Sequence, residues 1–139
     1  MIISKTSEYA LRIFSFMIND NKQVFSANYL AKNLSIPEKY LRNLLTKLSK
    51  FNLIKSIKGR EGGFVFAKNA DKITLADIID AVEGIEKYDK CILGFDHCLD
   101  KNPCLLHFKW KPIKTEFINF LKNTTVNDMK NTKNLKVRF

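Results

Sequence analysis

The sequence has few of the features that mark exported, membrane or repetitive proteins. Its 139 residues contain no apolar run close to the ~18 residues of a membrane span. Residues 1–9 carry neither the apolar stretch nor the small-residue cleavage site of a signal peptide. There is no internal repeat or low-complexity tract, and 45% hydrophobic with 27% charged residues is typical of a globular protein. We therefore expect one cytoplasmic domain, which excludes a large multidomain enzyme.

Acidic residues are scarce in the first half of the chain. The sequence has 24 basic and 14 acidic side chains and a net charge of +10, and residues 1–68 hold 12 of the basic but only four of the acidic ones. Such a basic half suits a polyanion, because lysine and arginine release the counterions condensed on its phosphates. DNA is the first interpretation, although charge alone would also suit RNA or an anionic membrane surface.

Two short amphipathic helices are predicted in the basic half. Apolar residues recur at i, i+3, i+4 and i+7 over residues 27–34, behind Ser26 as N-cap, and again over residues 41–48. Residues 35–38, Ser-Ile-Pro-Glu, read as a capping box with proline in the first turn of the second helix. Together with a preceding helix over about residues 6–18, this order predicts a helix-turn-helix.

A β-hairpin is predicted directly after the second helix. Residues 53–58 and 64–67 have strand-like patterns, and the glycine-rich segment 59–63 lies between them. A hairpin in this position is the wing of a winged helix, and a glycine-rich tip lets backbone approach a sugar-phosphate chain while Arg60 reaches a minor groove. The alternative is an ordinary solvated surface. The candidate DNA-binding residues are Ser26, Asn28, Lys39, Tyr40, Arg42, Asn43, Lys47, Lys58 and Arg60.

The second half adds two more helices. Thr74 and Asp77 form a predicted capping box, and Gly84 is expected to end that helix in the left-handed conformation. A last helix is predicted from about Cys104 to Asn123, with Pro112 kinking or dividing it. Its apolar residues follow a 4, 3, 4, 3, 4 spacing that is typical of paired helices, and we expect them to contact a second copy of the chain. These seam residues are Leu106, Trp110, Ile113, Phe117, Phe120 and Thr124.

The predicted fold is therefore mostly α, a winged helix-turn-helix with a small hairpin wing and a long C-terminal dimerisation helix. Residues 1–84 form the DNA-binding region and residues 85–104 an aperiodic loop. Residues 105–128 form the dimerisation helix, and residues 129–139 a loose basic tail.

All three cysteines lie within the aperiodic loop. Cys91, Cys98 and Cys104, with His107, give the spacing C-x6-C-x5-C-x2-H, and a helix starting by Cys104 would place Cys104 and His107 on one face. An odd count of cysteines in a cytoplasmic chain argues against a disulfide framework. Three thiolates and one imidazole select zinc or an iron–sulfur cluster, and the long loop suits a bulky cluster better than a compact zinc site.

An ordered set of motifs resembles the IscR/NsrR-type family of winged-helix transcriptional regulators. The set comprises residues 7–12 (SEYALR), Tyr40-Leu41, the wing pattern of residues 55–64, residues 81–84 (AVEG), and the three cysteines with His107 and Trp110. The resemblance implies a homodimeric repressor or activator whose cluster, [2Fe–2S] or [4Fe–4S], reports cluster supply, nitric oxide or redox state. It also implies Glu8 of the partner subunit as an alternative fourth ligand to His107. His97 or an exogenous group is a further alternative.

We therefore predict a DNA-binding regulator that binds neither a membrane nor a small-molecule substrate. Cluster assembly would fix residues 91–104 and set the separation of two recognition helices at about 34 Å, one turn of DNA. Two rivals stay open at this point. One is a zinc or cluster-free site on the same scaffold, and the other is a thiol enzyme or small electron carrier.

Overall fold

Five α-helices and one antiparallel hairpin make up the fold in the computed structural model, which describes residues 2–138. Their order is the one that the sequence predicts. The elements are α1 (Lys5–Asn19), α2 (Ala27–Leu34), α3 (Glu38–Lys50), β1 (Ile54–Ile57), β2 (Gly63–Phe66), α4 (Leu75–Glu83) and α5 (His107–Asn123). Short 3₁₀ turns follow β2 (Ala70–Lys72), α4 (Glu86–Asp89) and α5 (Val126–Met129).

The main core lies between α1, α2, α3 and the inner face of α4. The apolar stripes that predicted α2 and α3 are buried here, together with Ile13 and Phe14 of α1 and Ile78 of α4. A smaller cluster joins α4 to α5 through Leu75, Ile79 and Leu121. Burial of these stripes holds the helix-turn-helix in place, since helices of 8 to 15 residues depend on tertiary packing for their stability.

The junction of α2 and α3 differs from the predicted capping box. Ser35 adopts the left-handed conformation (φ 55°) and is the C-cap of α2, with its N–H bonded to the carbonyl of Ala31. Pro37 is the N-cap of α3, where the structure shows no side-chain cap hydrogen bond. The capping-box prediction is therefore wrong, because the tight turn uses Ser35 to end one helix and leaves it unable to begin the next. The restart itself is confirmed.

The wing is a short hairpin with one additional strand contact. β1 and β2 pair in register from Ile54–Phe66 to Ile57–Gly63, and Phe25 forms an isolated bridge to Phe64 on the other side of β2. Glycine is required where these segments converge. A Cβ on Gly62 would lie 2.1 Å from the carbonyl oxygen of Ile57, and one on Gly63, at φ +156°, would lie 2.5 Å from that of Phe25.

The second half of the chain packs against the main core that the first half forms. Thr74 and Asp77 form the predicted capping box of α4. Gly84 ends that helix as predicted, but with φ 81° and ψ 133° it does not adopt the predicted left-handed conformation. α5 runs unbroken through Pro112, so the predicted division is wrong. After α5 the chain bonds to the segment before α4, with the Val126 N–H 2.9 Å from the carbonyl oxygen of Ile73. Val126 is fully buried in the main core.

The start of the basic tail contacts α1. The Asn19 side chain donates to the carbonyl of Met129 and accepts from the N–H of Asn131. Within residues 2–138, no helix is long and apolar enough to span a membrane.

Candidate DNA interface and cysteine cavity

The outer face of α3 presents the basic and polar residues expected of a recognition helix. Leu41, Leu44, Leu45 and Leu48 are buried, so the residues between them face outward. Lys39, Arg42 and Asn43 are exposed. Arg42 lies 3.6 Å from Glu38, one turn back on the same helix. Such an exposed ion pair contributes little to stability, so Arg42 can exchange this partner for a phosphate at little cost.

Two other candidates on α3 are engaged within the chain. The hydroxyl of Tyr40 lies 2.5 Å from that of Thr6 on α1, and its ring makes an edge contact with Tyr9 at 5.7 Å between centroids. The amine of Lys47 donates to the carbonyl of Val82 on α4 at 3.3 Å. Both side chains fasten the recognition helix to the rest of the fold, a role that the sequence did not indicate.

The remaining candidates lie on α2 and the wing. Ser26 is the N-cap of α2, where its hydroxyl accepts from the N–H of Tyr29, and Asn28 is exposed on the first turn. Lys58 and Arg60 are exposed at the wing tip. The tip turns at Gly59, whose φ of +116° favours glycine and around which there is open space. The backbone at this point is free to approach a sugar-phosphate chain.

Residues 85–104, which we call the cysteine loop, enclose a cavity of about 470 Å³ together with the start of α5. Cys91, Cys98, Cys104 and His107 all line it, and so does His97. The rim is apolar and exposed, formed by Leu93, Phe95, Leu99 and Leu105. Leu105 is 98% exposed. Glu8 is not among the lining residues and lies 3.8 Å from Lys5 on the first turn of α1.

The four candidate ligands form two pairs across this cavity. The Sγ atoms of Cys91 and Cys104 are 3.3 Å apart, and Sγ of Cys98 lies 3.2 Å from Nδ1 of His107. This pairing corrects the expectation that Cys104 and His107 share a helical face. α5 begins only at His107, so Cys104 lies in the preceding turn and faces Cys91. Within the described residues, no three His, Cys, Asp or Glu side chains form a ready site for one metal ion.

His107 is held by a second partner that the sequence did not reveal. The ring is 1% exposed, and its Nε2 lies 2.8 Å from Oδ1 of Asp100. Asp100 also accepts from the amine of Lys111 at 2.7 Å, and bonds from Lys111 and His107 lower the pKa of Asp100. A carboxylate on Nε2 directs the other nitrogen of the ring toward Cys98 and the cavity, as in many metal-binding histidines.

The two paired thiols have opposite pKa shifts. Partial burial opposes ionisation of Cys91, but hydrogen bonds from the N–H of Leu93, the Cys104 thiol and the N–H groups of Phe95 and Gly94 lower its pKa. The bond to Cys91, with burial, raises the pKa of Cys104. One thiolate is therefore stabilised by backbone donors beside a neighbouring thiol. Such a donor set is suited to soft metal ions and iron–sulfur clusters.

Two further polar groups connect this loop to the rest of the fold. Lys114, on the buried face of α5 and only 8% exposed, donates to the carboxylate of Asp89 at 2.9 Å. The Glu83 carboxylate at the end of α4 accepts hydrogen bonds from Ser4, Ser7, Lys87 and Tyr88. Partial burial opposes the effect, but these donors lower the pKa of Glu83 to about 2. The residues that meet at Glu83 are too far apart in sequence for pattern analysis to connect them.

The seam of α5 is only partly used within the chain. Trp110 donates its ring N–H to the carbonyl of Lys90, and Phe117 makes an edge contact with Tyr88. Ile113 and Phe120 are 60% and 55% exposed. The buried face of α5 instead carries His107, Lys114 and Leu121. An apolar strip thus extends along the outer side of the helix, as expected of a surface that pairs with another helix.

Comparison with known proteins gives consistent matches. The Rrf2 family, described as "Iron-dependent Transcriptional regulator", matches residues 3–132. A chain named as an HTH-type transcriptional regulator in Aquifex aeolicus is 36% identical over 94% of this chain and 92% of its own length. The regulator IscR of Pectobacterium atrosepticum is 30% identical over 75% of this chain and 63% of its own length. The regulator NsrR of Oceanobacillus iheyensis is 28% identical over 93% and 89%.

A solved structure shares the fold. CymR of B. subtilis, described as the global cysteine regulator, superposes with a TM-score of 0.76 at 26% identity and covers 91% of this chain and 94% of its own. The relatives named above confirm the IscR/NsrR resemblance seen in the sequence motifs. They also argue against a thiol enzyme or electron carrier, since the matched family consists of transcriptional regulators.

Proposed function

The chain belongs to the Rrf2 family of transcriptional regulators, and we propose that it is a cytoplasmic homodimer whose affinity for operator DNA is set by an iron–sulfur cluster. DNA binding and transcriptional regulation follow from the family. The cluster, its ligands, the dimer and the DNA-contacting residues are the proposed part. A repressor, which blocks the promoters that it binds, is the proposed form of the regulator.

The proposed DNA contacts divide between α3 and the wing. Lys39, Arg42 and Asn43 lie on the exposed face of α3, and side chains of these types read base edges and phosphates from the major groove. Arg60 at the wing tip is suited to a narrow minor groove, where the negative potential is strongest. Ser26, Asn28 and Lys58 complete the proposed phosphate contacts, and Tyr40 and Lys47 support them by fixing α3 against α1 and α4.

One observation carries the cluster proposal: the four donors lie in two pairs that line one cavity. A [2Fe–2S] cluster takes two protein ligands on each iron, whereas a [4Fe–4S] cluster takes one. Cys91 with Cys104, and Cys98 with His107, provide one pair for each iron of a two-iron cluster. We therefore favour [2Fe–2S] with three thiolates and one histidine, and when bound it supplies one-electron redox chemistry and sensitivity to oxidants.

His107 is the preferred fourth ligand because its environment is already arranged for that role. It is buried, its Nδ1 faces Cys98, and Asp100 occupies its other nitrogen. Glu8 is the alternative, and it requires the partner subunit, since in this chain it lies beside Lys5 and outside the cavity lining.

Regulation is proposed to act through the segment that joins the cysteine loop to the winged helix. Tyr88, three residues before Cys91, bonds to Glu83, and Glu83 follows Val82, the partner of Lys47 on α3. When the four donors are ligated, residues 91–107 hold α5 and this segment in one arrangement. The separation of two recognition helices in the dimer then matches half-sites about 34 Å apart.

A second candidate is a regulator of the same fold without a cluster. It has support in the B. subtilis neighbour, which is described as a cysteine regulator, so related folds serve other signals. Zinc in place of the cluster is the other form of this alternative. The two-pair arrangement favours the cluster over zinc, because a single zinc ion needs four donors around one centre.

The experiment is anaerobic preparation of the chain followed by iron, sulfide and zinc analysis, absorption spectroscopy and operator selection with both forms. We expect about two irons and two sulfides per chain, a visible band, and different DNA affinity with and without the cluster. Cys91→Ser, Cys98→Ser and Cys104→Ser should each abolish the band. Stoichiometric zinc with no sulfide, and no band after reconstitution, would refute the cluster while leaving DNA binding intact.

A further inference from the structure

The contact between Cys91 and Cys104 suggests chemistry of the cluster-free chain. Their sulfur atoms are 3.3 Å apart, closer than ordinary contact between two sulfur atoms. We propose that Cys91 and Cys104 form an intrachain disulfide when the cluster-free protein meets a hydroperoxide, and that Cys98 remains a thiol. This is a specific modification site, since three cysteines allow three possible pairings and the structure selects one.

Cys98 is excluded by its own partner. Its sulfur lies 3.2 Å from Nδ1 of His107, and His107 is fixed by Asp100 at 2.8 Å and by burial. The loop between Cys91 and Cys98 begins with a turn, in which the N–H of Gly94 donates to the carbonyl of Cys91. Pairing of Cys98 with either other cysteine would require its sulfur to leave His107.

Cys91 and Cys104 need little movement to bond. Cys104 precedes α5 in a turn closed by the hydrogen bond from the His107 N–H to its carbonyl, and Cys91 follows the 3₁₀ turn Glu86–Asp89 closely. Both side chains face the cavity of about 470 Å³, which is large enough to admit a small peroxide. A sulfur–sulfur bond of about 2.05 Å then requires an approach of a little over 1 Å.

The chemistry balances with the peroxide as oxidant. One thiolate attacks a peroxide oxygen, the O–O bond breaks, and the sulfur becomes a sulfenic acid while the other oxygen leaves as water or alcohol. The second thiol attacks that sulfur, an S–S bond forms, and the hydroxyl leaves as a second water. The two thiols together lose two electrons and two protons, and the peroxide is reduced by two electrons.

The functional consequence rests on the proposed function. A Cys91–Cys104 disulfide would remove one complete donor pair, so the oxidised chain could not accept a cluster until a thiol reductant reopened it. Disulfide formation itself needs no iron and stands apart from that consequence.

The test maps disulfides in the cluster-free protein after treatment with hydrogen peroxide and alkylation of remaining thiols. Trypsin cleaves after Lys90, Lys101 and Lys109, and Asp-N cleaves before Asp96 and Asp100, so the two enzymes place each cysteine on its own peptide. We expect the peptide of Cys91 linked to that of Cys104, and the peptide of Cys98 alkylated. Reduction with dithiothreitol after the peroxide treatment and before alkylation should remove the link.

Cys98→Ser is the matched control, because it also leaves two cysteines but keeps the proposed pair. It should form the same disulfide to the same extent, whereas Cys91→Ser and Cys104→Ser should form none. A link that includes Cys98, cross-linked dimers, or three free thiols in wild-type protein would overturn the proposal. A mapped disulfide in a chain that never incorporates iron and sulfide would instead overturn the proposed function and leave this site intact.

Reconstitution gives the second readout. Oxidised protein should incorporate iron and sulfide only after dithiothreitol is added. Protein that has been kept reduced should incorporate them without this treatment. Equal cluster assembly in disulfide-linked protein would refute the consequence.

Discussion

The amine of Lys47 on the recognition helix donates a 3.3 Å hydrogen bond to the carbonyl oxygen of Val82 in the last turn of α4. The last carbonyls of a helix have no partner within it, and a lysine there also complements the negative end of the helix dipole. Lys47 therefore joins the surface that faces DNA to the helix that leads into the cysteine loop.

This contact predicts two different effects for two basic residues. Lys47→Ala should lower stability by ~1 kcal/mol, seen as a melting temperature lower by about 3 °C, because the carbonyl of Val82 loses its partner. It should also weaken operator binding.

Arg60→Ala should weaken binding by ~1 to 3 kcal/mol, mainly at A·T-rich positions, with no change in melting temperature. Melting curves and binding isotherms at matched salt measure both.

Lys122→Ala is the control for charge. It removes one exposed positive charge from the last turn of α5, outside the winged helix, and should leave operator binding within error. Equal weakening by all three variants would mean that net charge alone governs binding, and normal binding by Arg60→Ala would remove the wing from the interface.

Local patterns predict most of the winged helix. The i, i+3, i+4, i+7 spacing in α2 and α3 is a property of adjacent turns, and burial of those residues in the main core confirms it. The error at Ser35 has a local cause as well. The sequence Ser-Ile-Pro-Glu resembles a capping box, but in the fold its serine adopts φ 55° and ends the preceding helix. The strand contact of Phe25 had no periodic signal.

The sequence predicted which residues make up the cysteine site, but not which of these residues contact each other. The spacing of the cysteines indicates a ligand cluster, whereas the pairing of Cys91 with Cys104 depends on where α5 begins. Ser7 and Glu83 are 76 positions apart, and only the packing of α1 against α4 brings them together. Contacts of this kind follow from the tertiary fold and leave no trace in local spacing.

Glu83 should make stability depend on pH. Its pKa falls from 4.5 to about 2 in the folded chain. A carboxylate with a lowered folded pKa stabilises the fold above its unfolded pKa, and that stabilisation is lost as pH falls from about 4.5 toward 2. The side chain is only 12% exposed, so the contribution is ~2 to 3 kcal/mol. Glu83→Gln should therefore destabilise the fold at pH 7 and flatten the loss of stability below pH 4.5.

Urea unfolding at pH 7, 4.5 and 3 measures this effect. Glu86→Gln, at an exposed position in the turn after α4, is the matched control and should unfold like the wild type at every pH. A Glu83→Gln variant with wild-type stability at pH 7 would contradict the role assigned to these hydrogen bonds.

The exposed members of the seam should control assembly. Ile113→Glu with Phe120→Glu places two charges on the apolar strip and should give monomers that keep their helix content. Their operator affinity should fall, because one half-site supplies half of the contacts. Light scattering and circular dichroism test this. Thr115→Glu adds a charge to the opposite side of α5 and should leave the dimer intact, and a dimer that survives the double change would place the interface elsewhere.

Asp100 should determine how firmly His107 is held as a ligand. Asp100→Asn keeps the shape of the side chain but removes the charge beside Nε2 of His107, and loss of such an outer partner typically lowers metal affinity 10- to 100-fold. We expect iron to be lost to a chelator roughly 10-fold faster or more, with the visible band initially present.

Lys111→Gln tests the other contact of Asp100 and should have a smaller effect, since Lys111 is largely exposed. Asp96→Asn, at an exposed position in the same loop, controls for charge and should lose iron at the wild-type rate. Equal rates for Asp100→Asn and wild type would contradict the role of Asp100 in holding His107 as a ligand, and would favour Glu8 of the partner subunit.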